Sequence, residues 1–263
     1  MSTTQPPAAP SAGRPTALIT GATAGIGHSF ATHLARDGYD LVIVARDGDR
    51  LDQVAAQLGR DHGVEVETLV ADLTVPEQLA LVEARVADVD RPVDLLVNNA
   101  GFGLKKRFLD NPVDAEVEML EVLVTAVLRL THAALGAMTA RGSGGIINVS
   151  SVAAFLPRGT YAAAKAWVNS FTEWAANEYR SRGVTVMCLC PGFTKTEFHE
   201  RMQVKRGTGP MWLDVDFLVE KALKDFAKGR TYSIPGAQYK VITSLTKVIP
   251  SRALQAYQSI GRK

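Results

Sequence analysis

The sequence predicts an α/β fold in which a single doubly wound, mostly parallel sheet is flanked by helices on both faces. Six short runs rich in Val, Ile and Leu are apolar almost without interruption, as in strands that are buried on both faces. Helical patterns of roughly ten or more residues separate these runs, and crossovers between parallel strands require that length. The predicted strands are residues 16–20, 40–45, 66–71, 93–98, 145–150 and 184–190.

The chain of 263 residues is expected to form one domain, because folds of this class commonly do at this length. Residues 1–15 are rich in Pro, Ala, Ser and Thr, which is typical of a disordered tail. Residues 16–263 form the predicted domain, in which 195–216 lacks periodicity and is interpreted as a substrate lid. Residues 239–263 form a C-terminal extension. We expect it to pack on the domain or on a partner, and contact with a membrane surface is the less favoured alternative.

Charge and cysteine content exclude several classes of function. The net charge is +2, with 29 basic and 27 acidic residues, so no nucleic-acid partner is expected. Cys188 and Cys190 are the two cysteines, and they are interpreted as small core residues that point to the same face of a strand. No metal site is predicted, because they lack further ligands at a suitable spacing. No secretory leader or membrane span is apparent, so the expected location is the cytoplasm.

The segment 112–140 is predicted to form a helix with two apolar stripes. A helix of this kind is buried on two sides. One side must meet the sheet, and we expect the other to meet a second subunit rather than neighbouring elements of the same chain. A homo-oligomer, either a dimer or a tetramer, is therefore predicted on this helix and on the helix at 161–182. The stripes are Val117, Leu120, Val124 and Leu128, and Leu123, Val127, Leu130 and Ala134.

A glycine-rich turn follows the first predicted strand and opens the first helix. The run reads GATAGIG from residue 21 to residue 27. Glycines permit a tight turn and a close approach of the backbone, while the helix N-terminus offers N–H groups and a positive dipole end to a pyrophosphate. The alternative is a plain glycine turn. The residues expected to contact a dinucleotide here are Gly21, Thr23, Gly25, Ile26 and Gly27.

The end of the second predicted strand indicates which dinucleotide is bound. Arg46 follows Ala45, where an NAD-binding fold would place an acidic residue. A guanidinium matches the 2′-phosphate of NADP, so NADP is preferred to NAD. The alternative is that Arg46 is a solvated residue and Asp47 begins the next helix. Asp72, followed by Leu73, is a candidate acceptor for the adenine amino group, or else a helix cap.

Four segments, in their order and spacing, resemble the short-chain dehydrogenase/reductase family. Within that family they resemble most the subgroup that acts on long-chain or lipid-like carbonyls. They are TGATAGIG (20–27), NNAG (98–101), the pair Ser150–Ser151 and YAAAK (161–165), and Pro191–Gly192 follows the sixth strand as in that family. The resemblance covers residues 16–196. It implies a Rossmann-type fold and a carbonyl or alcohol as the small-molecule substrate. It also implies cofactor contacts from Lys165, Asn99, Ala100, Gly101, Pro191, Gly192, Thr194 and Thr196.

The chemistry of the predicted catalytic residues follows from their types. Tyr161 and Lys165 are four residues apart and share a helix face. An ammonium favours the phenolate and is expected to lower the tyrosine pKa, so that Tyr161 exchanges a proton with a carbonyl oxygen during hydride transfer. The hydroxyl of Ser151 would hold the same oxygen. The alternative is an ordinary surface pair on a helix.

Two departures from the family pattern bear on activity. Leu123 stands where the family usually has an asparagine, which in the family holds a water that relays protons to the lysine. The nine residues between Ser151 and Tyr161 form a shorter loop than is usual in the family. These departures keep a second hypothesis open, namely an NADP-binding regulatory or structural protein that has weak catalytic activity or none.

Overall fold

A computed structural model of the chain describes residues 13–195, 209 and 211–246. It confirms the predicted doubly wound architecture: within these residues, one sheet of seven parallel strands has the order β3-β2-β1-β4-β5-β6-β7. The order reverses between β1 and β4, where a crevice opens at the carboxyl ends of the strands. The strands are β1 (Thr16–Thr20), β2 (Asp40–Ala45), β3 (Val66–Val70), β4 (Leu95–Asn98), β5 (Gly144–Val149), β6 (Val184–Leu189) and β7 (Tyr232–Ser233).

Helices cover both faces of the sheet, and each face has its own apolar core. On one face α1, α2, α7 and α8 contribute buried side chains, and on the other face α3, α5 and α6 do so. Short 3-10 turns lie at Phe108–Asp110, Val152–Phe155 and Arg180–Arg182. The helices are α1 (Gly25–Arg36), α2 (Gly48–His62), α3 (Pro76–Val86), α4 (Val113–Leu120), α5 (Ala126–Arg141), α6 (Thr160–Tyr179), α7 (Val215–Ala227) and α8 (Ala237–Leu245).

Two strands differ from the expectation. β3 was predicted to be buried on both faces, but it is an edge strand whose residues are mostly half-buried, and Val70 is 53% exposed. β7 was not predicted, because two residues carry no periodic pattern. It exists through its pairing with β6, in which Cys188 lies opposite Tyr232. Cys188 and Cys190 are fully buried with their Sγ atoms 3.8 Å apart, so the prediction of core residues on one face is confirmed.

The long helix predicted at 112–140 is interrupted. α4 passes into a π-helical turn at Glu121–Thr125 before α5 begins, and such turns are frequent at functional sites. Leu123 lies inside this turn and is fully buried, whereas Val117 and Leu128 on the other stripe are 48% and 43% exposed. One stripe therefore faces the core of this chain and the other lies at its surface.

The continuous stretch Val113–Arg141 is also long and apolar enough to cross a membrane, so the expectation that no segment would reach that length was wrong. Half of its most apolar window is buried inside the fold. The core helix of a doubly wound domain has the same composition, because it packs on the sheet along its length. This stretch packs against α3, α6 and the sheet, as a core helix does.

Candidate active site

The glycine-rich loop begins where β1 ends. Gly21 and Gly25 have φ angles of +67° and +55°, which a residue with a side chain rarely adopts. A Cβ atom at Gly27 would lie 2.2 Å from the carbonyl oxygen of Gly21, so that position admits no side chain. The backbone therefore makes a tight turn, and α1 starts within it with its N-terminus at the crevice.

The residues after β4 hold this loop in place. The side-chain amide of Asn99 donates to the carbonyl oxygens of Thr20 and Gly21, at 2.9 and 3.1 Å. The hydroxyl oxygen of Thr20 accepts hydrogen bonds from the backbone N–H groups of Asn99 and Ala100, both at 3.0 Å. Thr20 is thus a positioning residue that sequence reasoning missed. Its place at the last position of a strand, directly before a glycine turn, was the available signal.

Arg46 and Asp72 meet at the ends of β2 and β3. The Arg46 guanidinium is 69% exposed and lies 3.6 Å from a carboxylate oxygen of Asp72. Burial raises the pKa of Asp72, but two hydrogen bonds from Thr74 and the charge of Arg46 outweigh it and lower the pKa. Leu73 is buried in the core. Asp47 caps α2 by accepting from the N–H of Arg50, as the alternative interpretation of this segment had it.

A cavity of about 290 Å³ lies beside the glycine-rich loop, between the start of α1 and the first half of α2. Its lining is mostly polar and includes one arginine, Arg50. This is the end of the crevice where the sequence predicts the phosphates of a dinucleotide. The lining includes Thr23, Gly25, His28, Arg50, Gln53 and Gln57.

Ser151 and Tyr161 come together at the end of β5. Ser151 precedes a 3-10 turn, and its hydroxyl oxygen accepts from the N–H of Ala153 at 3.1 Å. Tyr161 lies in the first turn of α6, where the Ser151 hydroxyl is hydrogen-bonded to the phenol. Burial raises the pKa of Tyr161 to about 12, and the bond from Ser151 only partly opposes this. The expected lowering of this pKa was therefore wrong in direction, because desolvation exceeds the opposing effect of the Ser151 hydrogen bond.

Lys165 lies one helical turn after Tyr161 and is only 4% exposed. Its Nζ donates to the carbonyl oxygen of Val149 at 2.7 Å and lies 5.9 Å from the centre of the Tyr161 ring. Burial lowers the pKa of Lys165 to about 8, although the neighbouring thiols of Cys188 and Cys190 act in the opposite direction. The ammonium of Lys165 is thus held at the site by a backbone carbonyl rather than by an acid.

Ser150 has a separate part in the arrangement. Its buried hydroxyl donates to the carbonyl oxygen of Lys165 at 3.0 Å, which joins the end of β5 to α6. The two serines of the pair consequently do different things: Ser150 fixes the helix that carries Tyr161 and Lys165, and Ser151 contacts the phenol.

Leu123 closes the side of the site where the family resemblance implied an asparagine. A Cβ atom added at Gly101 would lie 2.8 Å from a methyl carbon of Leu123 and 3.9 Å from Nζ of Lys165. Leu123 packs with Met119 and Ala164 in a small apolar cluster that also touches Tyr161. The space next to the lysine is therefore walled by hydrocarbon on this side.

The segment after β6 bonds to the Ser151 turn, to Leu213 and to Tyr239, and within itself. The carbonyl oxygen of Pro191 accepts from the N–H of Val152 at 2.9 Å. Thr194 is buried, and its hydroxyl donates to the carbonyl oxygen of Gly192 at 3.0 Å rather than pointing into open space. Thr196 lies outside the described residues.

The predicted lid also falls mostly outside the described residues, since only 195, 209 and 211–216 of it are described. It therefore stays a prediction. Of the C-terminal extension, the part up to residue 246 is described, and there α8 packs on the domain through the buried Tyr239.

Residues 15–207 match the family model of short chain dehydrogenases. The chain belongs to the short-chain dehydrogenase family. It is 31% identical over 245 residues to the bovine very-long-chain 3-oxoacyl-CoA reductase, an alignment that covers 89% of this chain and 75% of that protein. The human and macaque reductases of the same name align over 60% of their own length.

Solved structures of the family share the whole fold. A short-chain dehydrogenase from Sphingobium yanoikuyae, in complex with NADPH, is 36% identical with a TM-score of 0.83, and the match covers 94% of this chain and 96% of that one. The bulky-bulky ketone specific alcohol dehydrogenase from Comamonas testosteroni is 32% identical with a TM-score of 0.79, over 92% and 94% of the two chains.

Proposed function

We propose that this short-chain dehydrogenase is an NADP-dependent reductase of apolar carbonyl compounds, of the 3-oxoacyl thioester or bulky ketone type. The observation that carries the proposal is the arrangement of Ser151, Tyr161 and Lys165 at the carboxyl end of the sheet. A hydroxyl, a protonated phenol and a buried ammonium follow one another there. The names of the bovine 3-oxoacyl-CoA reductase and of the NADPH-bound Sphingobium protein point to the same substrate class and cofactor.

The residues at the crevice fit a dinucleotide with a 2′-phosphate. The glycine-rich turn leaves room for backbone contact, and the N-terminus of α1 faces the place where a pyrophosphate would lie. Ala45 supplies no carboxylate at the end of β2, and the exposed guanidinium of Arg46 stands next to it. When bound, NADPH supplies the hydride.

The protein's own part in the reaction is to deliver a proton to the substrate oxygen. Because the pKa of Tyr161 is raised to about 12, its phenol is protonated at neutral pH and can donate. The carbonyl carbon accepts a hydride, the carbonyl oxygen accepts the proton of Tyr161, and a secondary alcohol results. Ser151 is placed to hold the same oxygen through its hydroxyl. The ammonium of Lys165 stabilises the phenolate that is left behind.

The surroundings of Tyr161 favour an apolar substrate. The cluster next to its ring consists of hydrocarbon, and after β4 the chain adds an aromatic and an aliphatic side chain to it. Burial of alkyl groups against such a wall contributes about 0.8 kcal/mol for each methylene. The members of this cluster besides Leu123 are Phe102, Leu104, Met119, Leu120, Val124 and Ala164.

The proposal is tested by following NADPH absorbance with a panel of 3-oxoacyl thioesters of increasing chain length, bulky ketones and short aldehydes. We expect the catalytic efficiency to rise with the apolar size of the substrate. Nucleotide binding without oxidation of NADPH by any carbonyl would contradict the proposal and leave the non-catalytic hypothesis. The hydrogen bond between Ser151 and Tyr161 argues against that hypothesis, since a pure binding module has no need for it.

Arg46→Ala is expected to remove most of the preference for NADPH over NADH. A charge-assisted contact with the 2′-phosphate is typically worth about 1.5–3 kcal/mol, which corresponds to roughly a ten- to hundredfold change in affinity. Titration of both nucleotides by nicotinamide fluorescence measures it. Arg60→Ala, an exposed arginine at the other end of α2, serves as the control. Equal affinities in the unmodified protein would refute the role of Arg46.

Leu123→Asn is expected to raise steady-state turnover with little change in NADPH affinity. A buried leucine contributes about 1.5–3 kcal/mol to stability, and an asparagine forgoes this but can hold a water next to Lys165. Thermal melting is measured first, since the variant loses packing. Leu123→Ala, which opens space without adding a polar group, is the matched control. Unchanged turnover in a folded Leu123→Asn variant would mean that protons reach Lys165 by another route.

We also propose a homo-oligomer that uses the exposed stripe of α4 and α5 together with α6. Val117, Leu128 and Trp174 are 48%, 43% and 51% exposed, and the Trp174 ring continues an aromatic row with Phe171 and Trp167 on α6. Apolar surface of this kind is usually covered. Light scattering at micromolar concentration is expected to show a dimer or tetramer, and Trp174→Glu to reduce its size. A monomer would count against this interface.

A further inference from the structure

Tyr239, on α8, lies directly behind the segment that follows β6. The side chain is only 2% exposed. Its hydroxyl oxygen accepts from the backbone N–H of Phe193 at 2.8 Å, and its hydroxyl donates to the carbonyl oxygen of Met211. Its ring lies against Gly192, where an added Cβ would be 2.0 Å from the ring carbons. One phenol therefore touches Gly192 and fixes the chain both before and after the segment 194–210.

A short series of backbone contacts connects Tyr239 to the proton-donating groups. Phe193 is two residues from Pro191, whose carbonyl oxygen accepts from Val152 at 2.9 Å, and Val152 directly follows Ser151. α8 also packs against the 3-10 turn Val152–Phe155 itself. α8 is thus linked to the Ser151 turn in two ways, although it lies beyond residues 15–207, which match the family.

The same contacts define where the backbone at Pro191–Phe193 lies. The N–H of Leu213 donates to the carbonyl oxygen of Phe193 at 2.8 Å, and Thr194 pairs with Leu213 as a bridge. This pairing fixes the register of the two segments, and the bond from the N–H of Val152 to the carbonyl oxygen of Pro191 joins the first of them to the Ser151 turn. The ring of Tyr239 fills the space on the opposite side of Gly192, so it keeps this segment from moving away from the Ser151 turn.

We propose that Tyr239 is a positioning residue for the proposed carbonyl reduction: its hydroxyl and ring hold Pro191–Phe193 at the distance from Ser151 that the reaction requires. The inference rests on the proposed function of the site. Catalysis depends on placement to within a fraction of an ångström, and a misplacement of about 1 Å can cost about a hundredfold in rate. Burial raises the pKa of Tyr239 although the Phe193 N–H opposes this, so the hydroxyl remains a donor to Met211 at neutral pH.

Tyr239→Phe is the direct test, because it keeps the ring against Gly192 and removes both hydrogen bonds. Tyr232→Phe is the matched control: its hydroxyl also has two partners, the carbonyl oxygen of Asn169 at 3.2 Å and a carboxylate oxygen of Glu173 at 3.1 Å, and neither belongs to the Pro191–Phe193 segment. Both variants are compared by thermal melting, by kcat and KM with NADPH and the best carbonyl of the panel, and by amide hydrogen exchange.

We expect Tyr239→Phe to lower kcat about tenfold or more and to speed the exchange of the Phe193 amide. The ratio of NADPH to NADH affinity should not change, because Arg46 is untouched. Tyr232→Phe should keep kcat within about twofold of the unmodified protein, even if its melting temperature falls as far as that of Tyr239→Phe. A folded Tyr239→Phe variant with unchanged kcat would overturn the proposal.

A second variant approaches the same contact from the other side and covers the case in which Tyr239→Phe fails to fold. Gly192→Ala places a methyl group against the Tyr239 ring, and we expect it to lower kcat as well. Adding Tyr239→Leu, which frees space at the ring, should restore part of that kcat. The absence of any loss in folded Gly192→Ala would refute the positioning role. Failure of the proposed function itself would appear separately, as a lack of carbonyl reduction by the unmodified protein.

Discussion

Replacing Tyr161 with phenylalanine is expected to abolish turnover and to leave NADPH binding almost intact. The ring keeps its place beside Met119 and Leu123, so packing should survive, and only the proton donor is lost. General acid catalysis by a positioned side chain is typically worth about 10²- to 10⁴-fold in rate. Single-turnover oxidation of NADPH, followed by absorbance, measures the loss, and fluorescence titration measures the binding.

The control for this experiment lies on the same helix. Tyr179→Phe removes a phenol from the last turn of α6, where the ring packs edge-on against Trp174, far along the helix from Ser151. It should leave turnover unchanged. Activity in Tyr161→Phe that equals that of Tyr179→Phe would remove Tyr161 from the mechanism and with it the proposed proton transfer.

The fold and the order of the motifs could be predicted because both depend on short stretches of consecutive residues. Four of the predicted strands begin at the residue where the structure begins them, since short apolar runs between helical patterns are a strong signal for the strands of a parallel sheet. The glycine turn was predicted equally well, because Gly21, Gly25 and Gly27 follow a strand and open a helix. At the sheet edges the signal was less informative: it located β3 but wrongly predicted burial on both faces, and it missed β7, which has two residues.

Features that depend on long-range contact could not be predicted. Thr20 supports the loop through residues 79 and 80 positions away, and Tyr239 reaches Phe193 across 46 positions. The direction of the pKa shift of Tyr161 was wrong for the same reason. The spacing to Lys165 reveals a nearby charge, but the desolvation that raises the pKa comes from side chains of other elements, such as Leu123.

Leu123 could be recognised in the sequence as a departure from the family pattern, but its effect on the neighbouring groups could not be predicted. The sequence identified it as a departure from the family pattern, and the structure places it in a π-helical turn against Gly101. What the sequence could not show is that the same wall adjoins both Tyr161 and Lys165. An apolar wall raises the cost of every charge beside it, so the leucine that stands in place of the family's asparagine also bears on the protonation of the reacting groups.

Lys165→Met is the second change with a large expected effect, and it should act on activity and stability in opposite directions. Methionine has a similar length and can fill the buried site, but it carries no ammonium. Turnover is expected to fall about 10²-fold or more, because the phenolate left on Tyr161 loses its stabilising charge. In the unmodified protein, reduction should likewise weaken as pH rises through about 8, where Lys165 loses its proton.

The stability effect follows from the pKa of Lys165, which is lowered from its ordinary 10.5 to about 8. Below pH 8 the lysine is protonated in both the folded and the unfolded chain, and its burial then opposes folding by about 3 kcal/mol. Between pH 8 and 10.5 the unfolded chain keeps the proton that the folded chain has released. The contribution of this group to the free energy of unfolding therefore rises with pH across that window.

Methionine at position 165 removes this dependence, so the two proteins should be compared over pH. At pH 7 the variant escapes the cost of a buried charge but leaves the carbonyl oxygen of Val149 without its donor, which costs about 1–3 kcal/mol. We expect the variant to be at least as stable as the unmodified protein at pH 7, and its advantage to shrink as pH approaches 10. Denaturant unfolding at both pH values measures the difference. A constant difference in stability would show that Lys165 titrates at its ordinary pKa, and the loss of activity above pH 8 would then need another group.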